Sequence, residues 1–243
     1  MKKTKVLIIG SAPDAIVAKE WSDPPFDYIV AINNAWRIRS DWSNCIFPED
    51  FPLRKQPQVS KNQTLNSAKD YVTAQNHFGG FVFAGGTMAF TAGYWVLYQF
   101  KPSLIGYIGC DMIYNGSKTH FYGNGKADPL RDDKTLKNLK AKSARLEAIA
   151  LKQGCSIVNF SLLPSSNLVF PRQKITELYE DKKPPHRKIR EDRIQKALRK
   201  ESALGYFVED GRYWKQMALF DSVEIEKLDE IWLSTVLSEW KES

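Results

Sequence analysis

The sequence has few of the features by which several large classes of protein are recognised. It contains three cysteines, an odd number without CxxC spacing, so we expect neither a disulfide framework nor a zinc site, and a reducing cytosol fits best. No stretch approaches the roughly 18 apolar residues of a membrane span. The apolar run behind the basic first residues is too short for a signal peptide and predicts a first strand instead.

Four common catalytic signatures are also missing. The sequence has no GxGxxG dinucleotide fingerprint, no Walker A lysine loop, no GxSxG elbow and no HExxH motif. No His, Cys or Asp residues follow metal-ligand spacing, although a weak Mg²⁺ site made by carboxylates and substrate phosphates stays open. The chemistry of the chain must therefore be inferred from the ends of its predicted strands.

The pattern that is present is an alternation of short apolar runs with helical segments. Glycine or asparagine closes several of the runs, as at the end of buried parallel strands. The predicted strands are residues 5–9, 27–32, 44–47, 81–84, 104–108 and 156–159, and the predicted helices are 15–21, 88–100 and 132–153. Residues 52–78 are polar and are expected to form a loop or an irregular insertion. This order predicts an α/β fold, Rossmann-like and doubly wound, around a mainly parallel sheet.

The composition of the chain changes near residue 171, where basic residues become frequent. Residues 171–200 hold eleven Lys or Arg and five Asp or Glu, which is most of the net charge of +7. We expect a basic helix at 189–204, a short strand and turn at 205–214 and a helical segment at 219–240. The chain is thus predicted to divide into residues 1–170, the Rossmann-like domain, and residues 171–243, a small, basic, mostly helical appendage. The basic segment is either a solvated helix face or a patch for phosphate, nucleic acid or anionic membrane.

Two of the predicted strand ends carry small or amide residues. Gly10-Ser11-Ala12-Pro13 follows the first strand, where small residues let the backbone approach a ligand and the next helix can direct N–H groups at a phosphate. Asn33-Asn34 closes the second strand and suits sugar hydroxyls or a base edge. An ordinary strand-to-helix turn remains the alternative for the first loop.

Two further loops follow later runs. Gly85-Gly86-Thr87 places glycines and a hydroxyl before a predicted helix, and Ser165-Ser166-Asn167 follows the last strand with hydroxyls and an amide. Carboxyl ends of parallel strands meet at one edge of a sheet, so these loops are expected to line the same cleft as the first two. A plain turn is an equal alternative for residues 165–167.

The most informative segment is 103–131, in which an apolar strand runs into a loop rich in Gly, Asn, Asp and aromatic residues. The strand ends at Gly109 and Asp111, and the loop carries His120 and Tyr122. His120 is the candidate general base because an unperturbed imidazole titrates near neutrality, and a purely structural histidine is the alternative. His77 and His186 are expected at the surface.

These motifs together resemble the bacterial CMP-sialic-acid-dependent sialyltransferases of glycosyltransferase family 42 and the related MptE-like Rossmann proteins. The resemblance covers roughly residues 5–170 and implies that the domain of residues 1–170 is a nucleotide-binding catalytic domain. It rests on the following residues in this order: Gly10-Ser11-Ala12-Pro13-Asp14, Asn33-Asn34, Gly85-Gly86-Thr87, Tyr107-Ile108-Gly109-Cys110-Asp111, His120 and Ser165-Ser166-Asn167-Leu168.

The resemblance implies transfer of a sialic-acid-like sugar from a nucleotide-activated donor, with a CMP-sugar favoured, to a hydroxyl of a glycan or small-molecule acceptor. It implies His120 as general base, Asp111 as the residue that orients donor or loop, and no metal cofactor. One alternative is an MptE-like pyrophosphokinase that uses ATP and Mg²⁺, and another is a nucleotide- or glycan-binding protein without catalysis. We further expect a cytoplasmic homo-oligomer with no specific nucleic acid partner, which contacts the inner face of the membrane through residues 171–200.

Overall fold

The structure is a computed structural model that describes residues 3–114, 119–123, 132–185 and 187–236. Six parallel strands form one sheet with the order β4-β3-β2-β1-β5-β6. The strands are β1 Lys5–Ile9, β2 Tyr28–Ile32, β3 Asn44–Ile46, β4 Thr64–Asn66, β5 Leu104–Ile108 and β6 Ser156–Asn159. The sheet is all-parallel and flanked by helices, so the predicted Rossmann-like α/β fold is confirmed.

The sheet is buried on both faces. Val6 and Ile8 of β1 belong to one hydrophobic cluster, whereas Leu7 and Ile9 belong to the other. Because successive side chains of a strand point to opposite faces, a strand covered on both sides reads as an unbroken apolar run. The run KVLII is therefore the sequence of a central strand.

Helices cover the two faces unequally. The α-helices are α1 Ala68–His77, α2 Phe81–Ala84, α3 Met88–Phe100, α4 Leu139–Lys152, α5 Ile175–Tyr179, α6 Glu191–Leu204 and α7 Ser222–Leu233. The principal 3₁₀ helices are Pro13–Glu20, Asn33–Arg37 and Tyr213–Leu219. Helices α1 to α4, α6 and α7 share the larger core, while the 3₁₀ helices Pro13–Glu20 and Asn33–Arg37 pack with α5 on the opposite face.

The predicted strand at residues 81–84 is wrong, because FVFA forms the short helix α2. All four side chains are buried, and glycines with positive φ, Gly80 at 90° and Gly85 at 83°, bound the turn on either side. A four-residue apolar run between glycines fits a buried strand and a buried helical turn equally well, so periodicity alone does not separate the two.

The expectation of a loop or irregular insertion at residues 52–78 is confirmed for residues 52–63, which are irregular apart from the 3₁₀ helix Leu53–Lys55, and is wrong for the rest. This stretch holds edge strand β4 and helix α1. Ser67 and Asp70 form a capping box at the start of α1, and the Ser67 amide donates to Asp70 at 2.8 Å. An edge strand of three residues carries too little apolar pattern to be recognised, but the Ser-x-x-Asp spacing was a helix signal.

Two smaller corrections concern the second half of the chain. The predicted helix at 132–153 is divided into a 3₁₀ turn, Lys134–Leu136, and α4, because the Asn138 side chain accepts from the Ala141 amide at 3.0 Å and caps α4. Gly154 follows α4 with a φ of 74°, as expected of a glycine that ends a helix. The strand predicted within 205–214 is absent from the described residues there, which lead into the 3₁₀ helix Tyr213–Leu219.

Every named element from residue 171 onward is helical, and α7 packs on both α4 and α6. Two fully buried ion pairs join these helices. Lys142 Nζ lies 2.8 Å from Asp229, and Arg145 Nε lies 2.7 Å from Glu201. Side chains of α6 and α7 belong to the same hydrophobic cluster as those of α3, so they complete the core on that face of the sheet.

Candidate functional site

The site lies where the strand order reverses. Strand β1 pairs with β2 on one side and with β5 on the other, so the loops that leave the carboxyl ends of β1 and β5 diverge. A crevice opens at this point in doubly wound sheets, and ligands bind there. Here the crevice is a cleft of about 750 Å³.

The floor of the cleft is a close contact between two glycine-containing loops. The Gly10 amide donates to Ile108 O at 2.8 Å, and the Ala12 amide donates to Gly109 O at 2.9 Å. A Cβ on Gly10 would collide with Gly109 O and with Cys110 Sγ. Glycine is therefore required for this approach, and the N–H groups of Gly10 and Ala12 bind the β5 loop instead of facing a ligand.

The structure brings nine of the residues selected from the sequence together in this cleft. They come from the ends of β1, β2 and β5, the start of α3 and the loop after β5. They are Gly10, Ser11, Ala12, Asn33, Asn34, Thr87, Gly109, His120 and Tyr122.

The His120 ring lies close to two tyrosine rings. Its centroid lies 5.0 Å from that of Tyr122 in a stacked arrangement and 6.2 Å from that of Tyr114. Thr119 Oγ1 lies 2.8 Å from His120 Nδ1, and the Phe121 amide donates to Ser11 O at 3.0 Å, which ties the loop to the end of β1. Burial lowers the pKa of His120 from its ordinary value of 6.5, which favours the neutral form of the imidazole.

Two asparagine side chains on the β2 side of the cleft have unsatisfied acceptors. Asn34 is 5% exposed, and its Oδ1 is buried without a hydrogen-bond partner among the described residues, as is Oδ1 of Asn33. Asn33 also has a φ of 53°, a left-handed conformation that asparagine tolerates better than most residues. A buried acceptor without a donor is costly, so these oxygens are suited to a ligand that brings hydroxyl or amino groups.

Asp111 lies beneath the cleft and does not line it. The side chain is fully buried, its Oδ1 accepts from Asn159 Nδ2 at 3.1 Å, and its Oδ2 has no partner among the described residues. The Asn167 amide donates to Asp111 O at 3.0 Å, and Asn167 Nδ2 donates to Met112 O at 2.9 Å. Asp111 and Asn167 therefore fix the path of the loop that leaves β5.

The segment 165–167 is likewise away from the cleft. Ser166 Oγ accepts from the Leu168 amide at 3.0 Å and from Asn159 Nδ2 at 3.3 Å. Neither Ser165, Ser166 nor Asn167 is among the residues that line the cleft. Their observed contacts are those of a turn that supports the β5 loop from below.

The Gly85-Gly86-Thr87 loop contributes one of its three residues to the cleft. Thr87 caps α3, since its Oγ1 accepts from the Phe90 amide, and it lies at the cleft wall. A Cβ on Gly86 would overlap the hydroxyl of Tyr213, which in turn donates to Asp133 at 2.7 Å. Gly86 therefore serves the packing of the C-terminal helices.

Pro13 and Asp14 begin the 3₁₀ helix behind the first loop and also stay outside the cleft. Asp14 Oδ2 accepts from Ser161 Oγ at 2.8 Å and from the Leu162 amide at 3.2 Å. Burial, and then the charge of Asp111, raises the pKa of Asp14. The Asp14 carboxyl is thus turned toward the β6 loop.

Sequence reasoning missed one wall of the cleft, which is formed by residues after β3. Pro48, Asp50, Phe51, Pro52 and Lys55 line it, and Lys55 is the one basic side chain among the described lining residues. Tyr114 on the other wall was noticed only as one of several loop aromatics. Residues 48–50 follow a predicted parallel strand, so their position at the carboxyl edge was the available signal.

No family model matches the chain, and neither a curated protein nor a solved structure matches it. Among the described residues, no group of three or more His, Cys, Asp or Glu side chains is arranged to hold a metal, and no helix is both long and apolar enough to cross a bilayer. The fold defines the chain as a Rossmann-like α/β protein with a cleft at its topological switch point.

Proposed function

We propose that the protein is a glycosyltransferase that moves a sugar from a nucleotide-activated donor to an acceptor hydroxyl, with His120 as general base. The observation that carries the proposal is the position of His120, which is buried in the switch-point cleft with its ring near those of Tyr114 and Tyr122, where burial lowers its pKa. A base that is neutral at the working pH and held in position is what removal of a hydroxyl proton requires.

The donor nucleotide fits the β2 side of the cleft. The buried acceptors of Asn33 and Asn34 suit ribose hydroxyls or the amino group of a base. Lys55 lies in the same cleft, where its ammonium group can neutralise the phosphate that leaves with the nucleotide. A CMP-sugar is favoured because of the motif resemblance of the strand-end loops, and the cleft itself does not select among nucleotides.

In the proposed step the acceptor oxygen attacks the anomeric carbon of the donor sugar. The new C–O bond forms as the bond between the sugar and the phosphate oxygen breaks, and the acceptor proton passes to His120 Nε2. For this to happen, the neutral ring must carry its proton on Nδ1 and donate it to Thr119 Oγ1. The nucleotide leaves as an anion, and no redox partner is needed.

The test is sugar transfer by the wild-type protein and by His120→Asn, with CMP-, CDP-, UDP- and GDP-sugars and a panel of glycans. We expect the substitution to lower the transfer rate by about 10²- to 10⁴-fold, the usual contribution of a positioned base. Nucleotide binding, followed by thermal shift, should survive. Equal loss of binding and transfer would contradict the role of His120 as base.

The same experiment separates the two alternatives. Transfer of diphosphate from ATP to a hydroxymethyl group, abolished by EDTA, would indicate the MptE-like pyrophosphokinase. Tight nucleotide or glycan binding without turnover of any donor would indicate a binding protein.

The cytoplasmic location, the homo-oligomer and the membrane contact through residues 171–200 stay predictions. Within residues 171–200, Arg187 forms an ion pair with Glu147, and Lys200 forms one with Glu224, so these two cations have carboxylate partners inside the fold.

A further inference from the structure

A second concave surface, here called the Trp36 groove, lies outside the cleft. It has a volume of about 660 Å³ and shares no lining residue with the cleft. It is bounded by the end of the 3₁₀ helix Pro13–Glu20, the stretch from Trp36 to Trp42, and residues of the 57–63 segment. The proposed function assigns no role to it.

The groove is positively charged, and some of its cationic side chains have no carboxylate partner among the described residues. The Arg39 guanidinium already has partners within the fold. It donates to Ala18 O and Trp21 O and binds both carboxylate oxygens of Asp41. Lys19 and Arg37 are exposed and have no carboxylate partner among the described residues. An anion that enters the groove therefore meets two cations that need not give up an existing ion pair.

The groove also presents a fixed aromatic surface. Trp36 Nε1 donates to Lys55 O at 3.0 Å, which holds the indole in place, and the Arg37 guanidinium lies 5.2 Å from the centre of the Trp36 ring. The Gln58 side chain is exposed at the rim and makes no hydrogen bond within the described residues. An indole, an amide without a hydrogen bond among the described residues and two cations without a carboxylate partner there are complementary to a ring that is apolar on its C–H face, hydroxylated at its edge and negatively charged at one end.

We propose that the Trp36 groove binds an anionic sugar, with its phosphate or carboxylate between Lys19 and Arg37 and its ring against Trp36. This site does not depend on the proposed function, because the groove and the cleft have no lining residue in common. It does share a wall with the cleft. The 3₁₀ helix Asn33–Arg37 has Asn33 and Asn34 on the cleft and Trp36 and Arg37 on the groove.

The proposal is tested by calorimetric titration of the full chain with glucose 6-phosphate, glucuronate, glucose and inorganic phosphate at low ionic strength. We expect both charged sugars to bind, with glucose and inorganic phosphate each at least tenfold weaker, because each of the latter lacks one half of the contacts. The indole N–H resonance of Trp36, assigned by its loss in Trp36→Phe, should shift on addition of the charged sugars.

The matched variants are Lys19→Gln/Arg37→Gln in the groove and Lys196→Gln/Arg199→Gln on α6, which remove the same charge from exposed positions. Only the first pair should weaken binding, by tenfold or more, and both should keep the wild-type melting temperature. Arg37→Glu provides a second groove variant that should abolish binding. Equal loss in both double variants, binding of inorganic phosphate as tight as that of the sugars, or an unshifted Trp36 resonance would each overturn the proposal.

Discussion

His120 determines how the proposed reaction depends on pH. Burial lowers its pKa below 6.5, so the imidazole stays neutral, and able to accept a proton, as the pH falls from 7 toward that lowered value. We expect the acid limb of the kcat/KM profile to lie below pH 6.5 and to disappear in His120→Asn. An acid limb above pH 6.5 in the wild type would contradict this assignment.

Thr119 fixes the tautomer of His120 in the proposed mechanism. Thr119→Val removes the oxygen that lies 2.8 Å from Nδ1, so the neutral ring loses the partner that keeps its proton on that nitrogen. We expect a fall of about tenfold or more in kcat, because a histidine in the wrong tautomer cannot accept the acceptor proton at Nε2. Thr119→Ser, which keeps the hydroxyl, should retain the wild-type rate. A parallel loss in both variants would indicate packing instead.

At the residue scale, the sequence predicts Asn33 and Gly109 as site residues because they follow strands, and His120 because it is the candidate base of the loop after β5. All three line the cleft. Asp111 and Ser166 were selected by the same logic but lie below it, because strand ends also supply the buried hydrogen bonds that support the loops. Which of the two roles a polar residue takes depends on side-chain direction, and the sequence does not give that direction.

The elements of the C-terminal half are joined by buried charges. Arg145 of α4 contacts Glu201 of α6 through two nitrogens and Tyr94 of α3 through a third, and Trp232 Nε1 of α7 donates to Glu201 at 2.8 Å. One guanidinium thus connects four helices. The loss of one partner leaves the other charge buried and unpaired.

We therefore expect Arg145→Met to lower the free energy of unfolding by about 3–5 kcal/mol, the usual cost of breaking a buried pair. Urea denaturation gives the value. Lys152→Met is the control on the same helix, since its pair with Glu191 is largely exposed and its loss should change the free energy of unfolding far less. Arg145→Met/Glu201→Gln should recover part of the loss, and a double variant less stable than the single would contradict the explanation.

At the element scale, long periodic or fully apolar segments were predicted and short ones were not. Strands β1 and β5 and helix α3 lie where expected, because each buries most of its residues. The edge strand β4 was missed because its pairing with β3 depends on backbone hydrogen bonds that leave little trace in three residues. The short helix α2 was misassigned because tertiary burial, not periodicity, fixes its conformation.

The three thiols report on the integrity of the whole molecule. Cys45, Cys110 and Cys155 are all free and buried, and burial raises the pKa of Cys45 and of Cys155 to about 12. Buried thiols without thiolate character react slowly. We expect Ellman's reagent to find no fast-reacting cysteine in the native protein and three in urea. One thiol that reacts rapidly without denaturant would show that its part of the sheet opens independently.

The place of β1 in the sheet also has a consequence for the time course of folding. Lys5 pairs with Leu104, which lies about a hundred residues further along the chain. During folding, one edge of the central strand therefore stays unpaired until this distant strand has docked. Parallel pairing over such a separation is slow, and an open edge is a template for another chain until it is closed. The recovery of native protein after dilution from denaturant should therefore fall as the concentration rises, with aggregates nucleated by the strand that later supplies the cleft floor.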